Sequence, residues 1–298
     1  MASHVSDRPL LAALDVEHPE WRPLLVLIEA AQREAERPHW ARFVPALEHQ
    51  GDGGRPLLDG AVISVAPKLI EGWVRHILAL AAAAGTEVEP LANAIVAGRL
   101  DPSLLFETAV SQDVDRFHEI ARVERDYRGV LRGLASLIAL PMLQTCWRAW
   151  AERVPTDWTY GYCPVCGGWP ALAEIRGLDG ARHLRCGCCG SDWRTEWLRC
   201  PFCREGDHDK LGSLVSPEGL ERQSIEVCDA CRGYVKTITT LTAIRPDDVL
   251  LHDLATLPLD MTALERDYRR PAAKGSAVAV GVVAEAWRLR DLLLSLRP

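Results

Sequence analysis

The residues with the clearest chemical potential in this chain are its cysteines. The sequence contains ten, and nine of them lie between Cys163 and Cys231. Eight of these form pairs with two intervening residues, a spacing that lets one tight turn direct both sulfur atoms at the same ion. The pairs are Cys163 with Cys166, Cys186 with Cys189, Cys200 with Cys203, and Cys228 with Cys231. In a reducing compartment such a cluster indicates metal binding rather than disulfide bonds.

Two such pairs supply four thiolates, which complete a tetrahedral site with metal–sulfur distances of about 2.3 Å. If the pairs combine in sequence order, the two pairs of the first site are separated by 19 residues. The two pairs of the second site are separated by 24 residues. The first spacing is usual for a zinc ribbon, and the second is slightly longer. The sequence therefore predicts two four-cysteine metal sites with pairing in sequence order. An interleaved pairing, as in RING domains, is also compatible with the spacing.

The residue after each second cysteine bears on the geometry of the turn. Gly167 and Gly190 hold this position in the first site, and glycine adopts a positive φ at little cost. Arg204 and Arg232 hold it in the second site. The turns of the second site are therefore expected to be less regular.

Four further thiol or imidazole side chains are not assigned as ligands. Cys146 stands alone in a helical pattern and is interpreted as a small buried apolar residue. Cys188 is a spare thiol inside the second pair, where the two-residue spacing favours the flanking cysteines as ligands. His183 and His208 are interpreted as solvated loop residues, because eight cysteines already fill two sites.

The first 157 residues, which precede the cysteine pairs, have the periodicity of helices. Apolar residues recur on one helical face between Leu69 and Leu78, and an earlier helix is predicted over Trp21–Glu36. Another apolar stripe runs from Phe117 to Ile138. Pro141 is expected to kink this helix or to end it nearby. Residues 1–157 are therefore predicted to form a helical N-terminal domain.

The region that carries the cysteines has short β-like runs instead, such as Ile225–Val227 and Tyr234–Thr240. These runs are too short for a conventional core, so metal ions are expected to supply the cross-links. Residues 158–198 and 199–244 are predicted to be two tandem modules of the rubredoxin or zinc-ribbon type.

The remainder of the chain, residues 245–298, returns to helical patterning, with a C-terminal helix predicted from Val282 to Leu296. The predicted fold class is mainly α: a helical N-terminal domain, two tandem metal-bound β modules and a C-terminal helical segment. No apolar run reaches the ~20 residues that span a bilayer, so no stable membrane insertion is expected. The first residues lack the pattern of an export signal, so the cytoplasm is the predicted location.

Four tryptophans surround the first module in the sequence, namely Trp158, Trp169, Trp193 and Trp197. They are interpreted as core residues that shield the metal. Any that prove exposed would instead form a contact surface for a partner, because tryptophan is favoured in interface hot spots.

Charge weighs against nucleic acid as a partner. The formal net charge of the chain is -7, and residues 158–240 contain ten basic and eleven acidic side chains. A module that binds phosphate backbones normally has an excess of basic residues. No nucleic-acid partner is therefore expected, and a nucleic-acid-binding zinc ribbon is the least favoured class.

Catalysis is also disfavoured by the motifs. The sequence has no G-x-S-x-G, P-loop or H-E-x-x-H motif, and four thiolates leave a metal no open position for a substrate. A rubredoxin-like one-electron carrier remains an alternative, since iron in a four-sulfur site changes oxidation state and zinc does not. A scaffold that metal ions hold together, with a protein-binding surface, is the third class, and no motif contradicts it.

The cysteine motifs resemble those of the formate dehydrogenase accessory protein FdhE family. The residues that carry the resemblance are Tyr162–Gly167, Leu184–Trp193, Arg199–Cys203 and Cys228–Lys236. His18 and Pro19 before the first helix, and the segment Asp253–Asp260 after the modules, are also similar to that family's patterns. The resemblance extends over most of the chain, is most specific over residues 160–236 and is least clear beyond Arg270.

This resemblance implies a cytoplasmic, non-catalytic protein that active formate dehydrogenase requires. It implies that the protein binds the catalytic subunit of that molybdenum or tungsten enzyme during maturation, often before twin-arginine export. It also implies rubredoxin-like sites that hold iron, bound here by the eight paired cysteines. The spacing itself suits zinc equally well, and it does not define an oligomeric state.

Overall fold

The computed structural model of the chain describes residues 8–123, 128–215 and 222–285. The N-terminal part is helical, and its elements are α1 (Pro9–Glu17), α2 (Arg22–Ala35), strand β1 (Val62–Val65), α3 (Pro67–Ala83), α4 (Glu89–Val96), α5 (Pro102–Ser111), α6 (Val114–Val123) and α7 (Arg128–Trp150). Proline occupies the first turn of each helix from α1 to α5, where its missing N–H would have no helical partner. Helix α2 confirms the helix predicted over Trp21–Glu36.

Helix α7 is the centre of the helical part. It packs against α2, α3 and α5. The indole nitrogen of Trp73 on α3 donates a hydrogen bond to the carbonyl oxygen of Ile138 on α7, at 2.9 Å. The apolar face predicted between Leu69 and Leu78 accounts for most of the buried residues of α3. Hydrophobic periodicity and burial therefore agree in this part of the chain.

The apolar stripe predicted from Phe117 to Ile138 falls on α6 and α7 rather than on one helix. Helix α7 continues through Pro141 to Trp150, so the alternative that a helix ends near Pro141 is wrong. Proline removes one backbone hydrogen bond, but the residues of α7 around it are buried against neighbouring helices. The hydroxyl of Thr145 also donates to the carbonyl oxygen of Pro141 at 2.6 Å. Packing therefore outweighs the lost bond.

The cysteine-bearing region forms one six-stranded sheet. Its strands are β2 (Pro170–Arg176), β3 (Ala181–Cys186), β4 (Asp192–Arg194), β5 (Leu211–Val215), β6 (Gln223–Cys228) and β7 (Tyr234–Thr240). Their spatial order is β4-β3-β2-β7-β6-β5. The pair β2 and β7 is parallel, and all other neighbours are antiparallel. The runs predicted at 225–227 and 234–240 are confirmed as parts of β6 and β7. The parallel pair joins the strands of the first cysteine region to those of the second.

The last described strand pairs with the N-terminal part of the chain. Strand β8 (Gly281–Ala284) runs parallel to β1, in a two-stranded sheet. Val282 and Val283 therefore lie in a strand, which corrects their assignment to a C-terminal helix. Their β-branched side chains suit an extended backbone, and pairing with β1 outweighs the helical periodicity. The rest of that predicted helix, residues 286–298, lies outside the described residues.

Helices α8 (Val249–Ala255) and α9 (Leu257–Glu265) follow the last strand of the large sheet, and α9 covers one face of β6 and β7. The fully buried Lys236 of β7 connects both helices to the sheet. Its ammonium lies 2.8 Å from the Asp253 carboxylate and 2.7 Å from that of Asp260. Arg270 also binds both carboxylates, at 2.7 and 3.0 Å. The predicted class, mainly α with a small metal-binding β region and a C-terminal helical segment, is confirmed.

Candidate metal centres

The first cluster lies at one end of β2 and β3. Cys163 and Cys166 belong to a turn before β2, Cys186 is the last residue of β3, and Cys189 follows in the turn to β4. All four sulfur atoms lie within 4.8 Å of one another, and all four residues are buried. The sulfur atoms of Cys163 and Cys189 are 3.5 Å apart, as are those of Cys166 and Cys186.

The second cluster lies at the corresponding end of β6 and β7. Cys200 and Cys203 form a turn before β5, Cys228 ends β6, and Cys231 lies in the turn to β7. The sulfur atoms of Cys200 and Cys231 are 3.6 Å apart, and those of Cys203 and Cys228 are 3.7 Å apart. Cys203 and Cys231 are exposed, so this cluster lies at the protein surface. The structure thus brings the pairs together in sequence order, not in the interleaved arrangement.

The geometry of both clusters suits a tetrahedral metal ion. Metal–sulfur bonds of about 2.3 Å require sulfur–sulfur separations of roughly 3.8 Å at the tetrahedral angle. The four separations above, from 3.5 to 3.7 Å, are close to that value. Four thiolates are a donor set for zinc or iron. Either cluster could therefore hold a zinc or an iron ion.

The same backbone turn recurs at all four pairs. The N–H of each first cysteine donates to the carbonyl oxygen five residues later, at 2.8 to 3.0 Å. The residue after each second cysteine has a positive φ: 74° at Gly167, 76° at Gly190, 65° at Arg204 and 59° at Arg232. The expectation of less regular turns in the second site is therefore not met at this position.

Each of these two arginines gains a contact where glycine would have none. The guanidinium carbon of Arg204 lies 5.3 Å from the ring centre of Tyr160, and that of Arg232 lies 4.0 Å from the ring centre of Tyr268. Cation–π contacts of this kind contribute about 0.5–1 kcal/mol at exposed sites. They offset part of the cost of the left-handed backbone.

Backbone and hydroxyl donors surround the sulfur of Cys163. The N–H groups of Val165 and Cys166 lie 3.3 Å from it, and the hydroxyl oxygen of Ser191 lies 2.9 Å from it. Ser191 is fully buried. Such donors would orient the sulfur as a metal ligand. Ser191 belongs to no motif in the sequence, although its position two residues after Cys189 places it next to the turn.

The helical part of the chain holds the first turn in place. The N–H groups of Leu57 and Leu58 donate to the carbonyl oxygens of Pro164 and Val165 at 2.8 and 2.9 Å. The side-chain amide of Gln112, just after α5, donates to the carbonyl oxygen of Cys166 at 3.2 Å. The first cluster is therefore fixed by the helical part as well as by the sheet.

Because the sulfur atoms of a cluster lie close together, the pKa values of its cysteines shift in opposite directions. Hydrogen bonds to its thiolate, from Cys163 first, hold the pKa of Cys166 well below its ordinary value. Cys163 and the other neighbouring sulfurs raise the pKa of Cys186 well above it. In the second cluster, burial raises the pKa of Cys231 to about 11. A metal cation among the sulfurs would stabilise all four thiolates together.

The cysteines and histidines not assigned as ligands lie outside both clusters. Cys146 is fully buried in α7, where burial raises the pKa of its thiol. The thiol of Cys188 is half-buried, and its sulfur lies 3.6 Å from the side-chain oxygen of Gln112. His208 is exposed, as predicted. His183 is not a loop residue: it lies on β3, where its ring nitrogen is 2.6 Å from the Asp192 carboxylate.

The four tryptophans differ in their burial. Trp158 and Trp193 are buried, as the core interpretation predicts. The half-buried Trp169 has an edge-to-face contact with Phe202, with ring centres 5.1 Å apart, that connects the two cysteine regions. Trp197 is 50% exposed, which matches the contact-surface alternative.

Known proteins of one family resemble this chain. Residues 198–275 match the family model described as "FdhE, C-terminal domain". "Protein FdhE" of Escherichia coli O127:H6 is 28% identical over 225 residues, which cover 73% of this chain and 68% of that protein. The chain is similar to proteins of the FdhE family. An FdhE homolog of Aquifex aeolicus is 30% identical over 149 residues, covering 47% of this chain and 51% of that protein.

The fold is also that of a solved FdhE protein. The crystal structure of the FdhE protein from Pseudomonas aeruginosa matches with a TM-score of 0.55 at 23% sequence identity. The match covers 91% of this chain and 93% of that one. In sequence, the chain spans about half or less of the FdhE homologs from Aquifex aeolicus, Stutzerimonas stutzeri and Rhizobium meliloti. Among the described residues, no helix combines the length and apolar character needed to cross a bilayer.

Proposed function

We propose that this protein is a non-catalytic accessory factor that binds the catalytic subunit of a formate dehydrogenase in the cytoplasm during its maturation. Similarity to the FdhE family carries this proposal, because it supports an accessory role connected with that enzyme. We further propose that the eight paired cysteines bind two metal ions, one in each cluster.

The geometry of the clusters supports a structural use of the metal. Four thiolates saturate a tetrahedral ion and leave no position at which a substrate would bind. The ends of β3 and β6, with the turns that follow them, each supply one pair of cysteines. The turns before β2 and β5 supply the other two pairs. Each ion would therefore tie a turn to the sheet. Because metal binding at such sites is coupled to folding, loss of an ion is expected to disorder its region.

A rubredoxin-like electron carrier is the second candidate, and the exposure of Cys203 and Cys231 favours it. A redox centre must come close to its partner, and the second cluster lies at the surface. Iron bound there would supply one-electron chemistry, whereas zinc would not. A protein loaded only with zinc would then bind the client without supporting its activity. Full support of activity by the zinc-loaded protein would exclude this candidate.

A pull-down of the catalytic subunit, together with formate oxidation in cells that lack the protein, tests the main proposal. We expect wild-type protein to capture the subunit and to restore formate oxidation. Cys200→Ser should lose both, because the second region loses its metal. Cys146→Ser is the matched control, since it changes a buried cysteine outside both clusters.

If the subunit neither binds the wild-type protein nor needs it for activity, the accessory role is wrong. If Cys146→Ser fails as completely as Cys200→Ser, general loss of stability explains the result, and the clusters have no special part in binding.

A further inference from the structure

A groove lies beside the second metal centre. It is bounded by the segment 197–202 and by the faces of β5, β6 and β7 opposite α9, and its volume is about 440 Å³. We call it the β5 groove. By strand alternation, Ser213, Glu226 and Thr237 lie on its floor, and Trp197 and Leu198 form part of its wall.

The wall of the β5 groove exposes apolar side chains. Trp197 is 50% and Leu198 is 54% exposed. Leu198 has a φ of 54°, a left-handed conformation that a leucine rarely adopts. The indole nitrogen of Trp197 donates to the carbonyl oxygen of Gly180 at 3.0 Å, which fixes the start of this segment. A strained backbone that holds a leucine in solvent indicates a binding role.

The charges that line the groove are neutralised within the protein. Among the described lining residues the charged side chains are Arg199 and Glu226. Glu226 accepts from the guanidinium of Arg182 on β3 at 2.6 Å, and Arg199 donates to Glu196 at 2.6 Å. Apart from the cysteine cluster, to which Cys200 and Cys228 of the lining belong, a charged ligand would find no free counter-charge on this surface. The groove therefore fits an uncharged, apolar segment.

One side of the groove is an open strand edge. β5 is the outermost strand of the sheet. In an antiparallel pair, every second residue of a strand hydrogen-bonds to its neighbour. The Asp229 N–H donates to the Lys210 carbonyl oxygen, so the bonded residues of β5 that follow are Gly212 and Leu214. The backbone groups of Ser213 and Val215 therefore point away from β6, and no strand of the described residues pairs with them. Water satisfies these groups in the free protein, and an added extended strand would pair with the whole row of donors and acceptors.

The two edges of the sheet differ in how well they are protected against the addition of a further strand. β4, at the opposite edge, has three residues and includes the charged Asp192 and Arg194. β5 has five residues, Leu-Gly-Ser-Leu-Val, without charge or proline. Charged residues, proline and short length are the usual protection of an edge against strand addition. β5 lacks all three, and Val215 at its end is 64% exposed.

We infer that the β5 groove binds an extended, uncharged apolar segment of the client catalytic subunit, which adds as a strand to β5 and inserts side chains beneath Trp197 and Leu198. Main-chain hydrogen bonds give affinity in such complexes, and pockets for alternate side chains give specificity. This inference rests on the proposed accessory function, and it assigns that function to one surface.

A charge placed on the wall tests the inference. Leu198→Asp introduces a carboxylate there, and aspartate tolerates the left-handed backbone better than leucine, so the variant is expected to fold. Leu178→Asp is the matched control, because Leu178 is 100% exposed in the turn between β2 and β3. We expect Leu198→Asp to raise the dissociation constant of the purified catalytic subunit at least about tenfold, and Leu178→Asp to leave it unchanged. Metal content of two ions in each variant verifies the fold.

A second variant addresses the strand edge. Ser213→Pro removes the outward N–H of β5 and should weaken binding similarly. If both Leu198→Asp and Ser213→Pro bind as the wild type does, or if Leu178→Asp loses as much as Leu198→Asp, the groove inference is wrong and the accessory function stands. If wild-type protein fails to bind the subunit, the accessory function itself is wrong.

Discussion

Gly161 lies so close to the main chain of Pro201 that a Cβ atom on Gly161 would be 1.9 Å from the Pro201 carbonyl oxygen. Gly161 lies two residues before Cys163 of the first pair, and Pro201 lies inside the third pair. The turns of the two cysteine clusters are therefore in direct backbone contact. Only glycine permits this approach, because any side chain would displace one turn from the other.

Gly161→Ala should separate the two metal centres at a cost of about 3 kcal/mol in the free energy of unfolding, the upper end of overpacking effects. The contact is with backbone, which cannot rotate away. Urea unfolding of the metal-loaded protein measures the cost. Gly72→Ala is the control: Gly72 lies in α3 with open space where a Cβ atom would stand, and alanine there should stabilise the helix by up to about 1 kcal/mol. Equal stability of the Gly161 variant and the wild type would contradict the prediction.

Metal analysis should give two ions for each chain. Cys163→Ser or Cys200→Ser should lower the count to one, because three thiolates hold a tetrahedral ion poorly. Cys146→Ser and Cys188→Ser should leave two, since neither sulfur belongs to a cluster. Elemental analysis of protein purified without oxygen checks the count, and absorption spectra separate coloured ferric iron from colourless zinc. A loss of metal in either control would show that the ligands are assigned wrongly.

Ser191→Ala should weaken metal binding at the first site only. It removes the hydroxyl that lies 2.9 Å from the sulfur of Cys163. Loss of an outer hydrogen-bonding partner typically costs 10–100-fold in metal affinity, and we expect about tenfold here because two backbone N–H groups remain. Competition with a chelator measures the affinity, and the second site of the same chain is the control. Equal weakening of both sites would indicate a global effect.

The sequence suffices to predict the four cysteine pairs because a C-x-x-C pair is a local feature, in which one turn fixes both sulfurs. Which pairs come together depends on the sheet, since the spacing also permits an interleaved arrangement. The helices α2 and α3 are also predictable, since their apolar residues recur with the period of a helix. The cysteine pairs and these helices do not depend on distant parts of the chain.

Other features depend on contacts that spacing does not encode. The parallel pairing of β2 with β7 joins the two cysteine regions, and the register of short strands is set by tertiary packing. Val282 has an apolar periodicity that suits a helix, yet pairing with β1 makes it a strand residue. The loop prediction for His183 is wrong because its partner, Asp192, is brought to it only by the pairing of β3 with β4.

Lys236→Met should destabilise the protein by about 3–5 kcal/mol, the usual cost of removing one partner from a buried ion pair. The ammonium of Lys236 is fully buried between Asp253 and Asp260. Methionine leaves both carboxylates with Arg270 as their cation, and Asp260 keeps its hydrogen bond from the Tyr234 hydroxyl. Lys68→Met, at an exposed position of α3, should change stability by less than about 0.5 kcal/mol. Chemical denaturation of both variants measures the difference. If Lys236→Met lowers the free energy of unfolding no more than Lys68→Met does, the ion pairs of Lys236 do not stabilise the protein.

His252 on α8 is expected to make stability depend on pH near neutrality. Burial lowers the pKa of His252, an effect that the nearby carboxylates of Asp248 and Glu174 counteract only in part. In the unfolded chain a histidine titrates near pH ~6.5. The folded state thus binds this proton more weakly than the unfolded state does. The contribution of neutral His252 is present above the unfolded pKa and is lost as the pH falls below it.

Between pH 7.5 and pH 5.5 the free energy of unfolding should therefore decrease in the wild type and decrease less in His252→Gln. The largest possible slope from one proton is about 1.4 kcal/mol per pH unit, and we expect a difference of about 1 kcal/mol over this range. His76→Gln is the control, because His76 lies exposed on α3 and should leave the pH dependence unchanged. Urea midpoints at several pH values, with metal content checked at each, give the slopes. Identical slopes in the wild type and His252→Gln would show that protonation of His252 does not oppose folding.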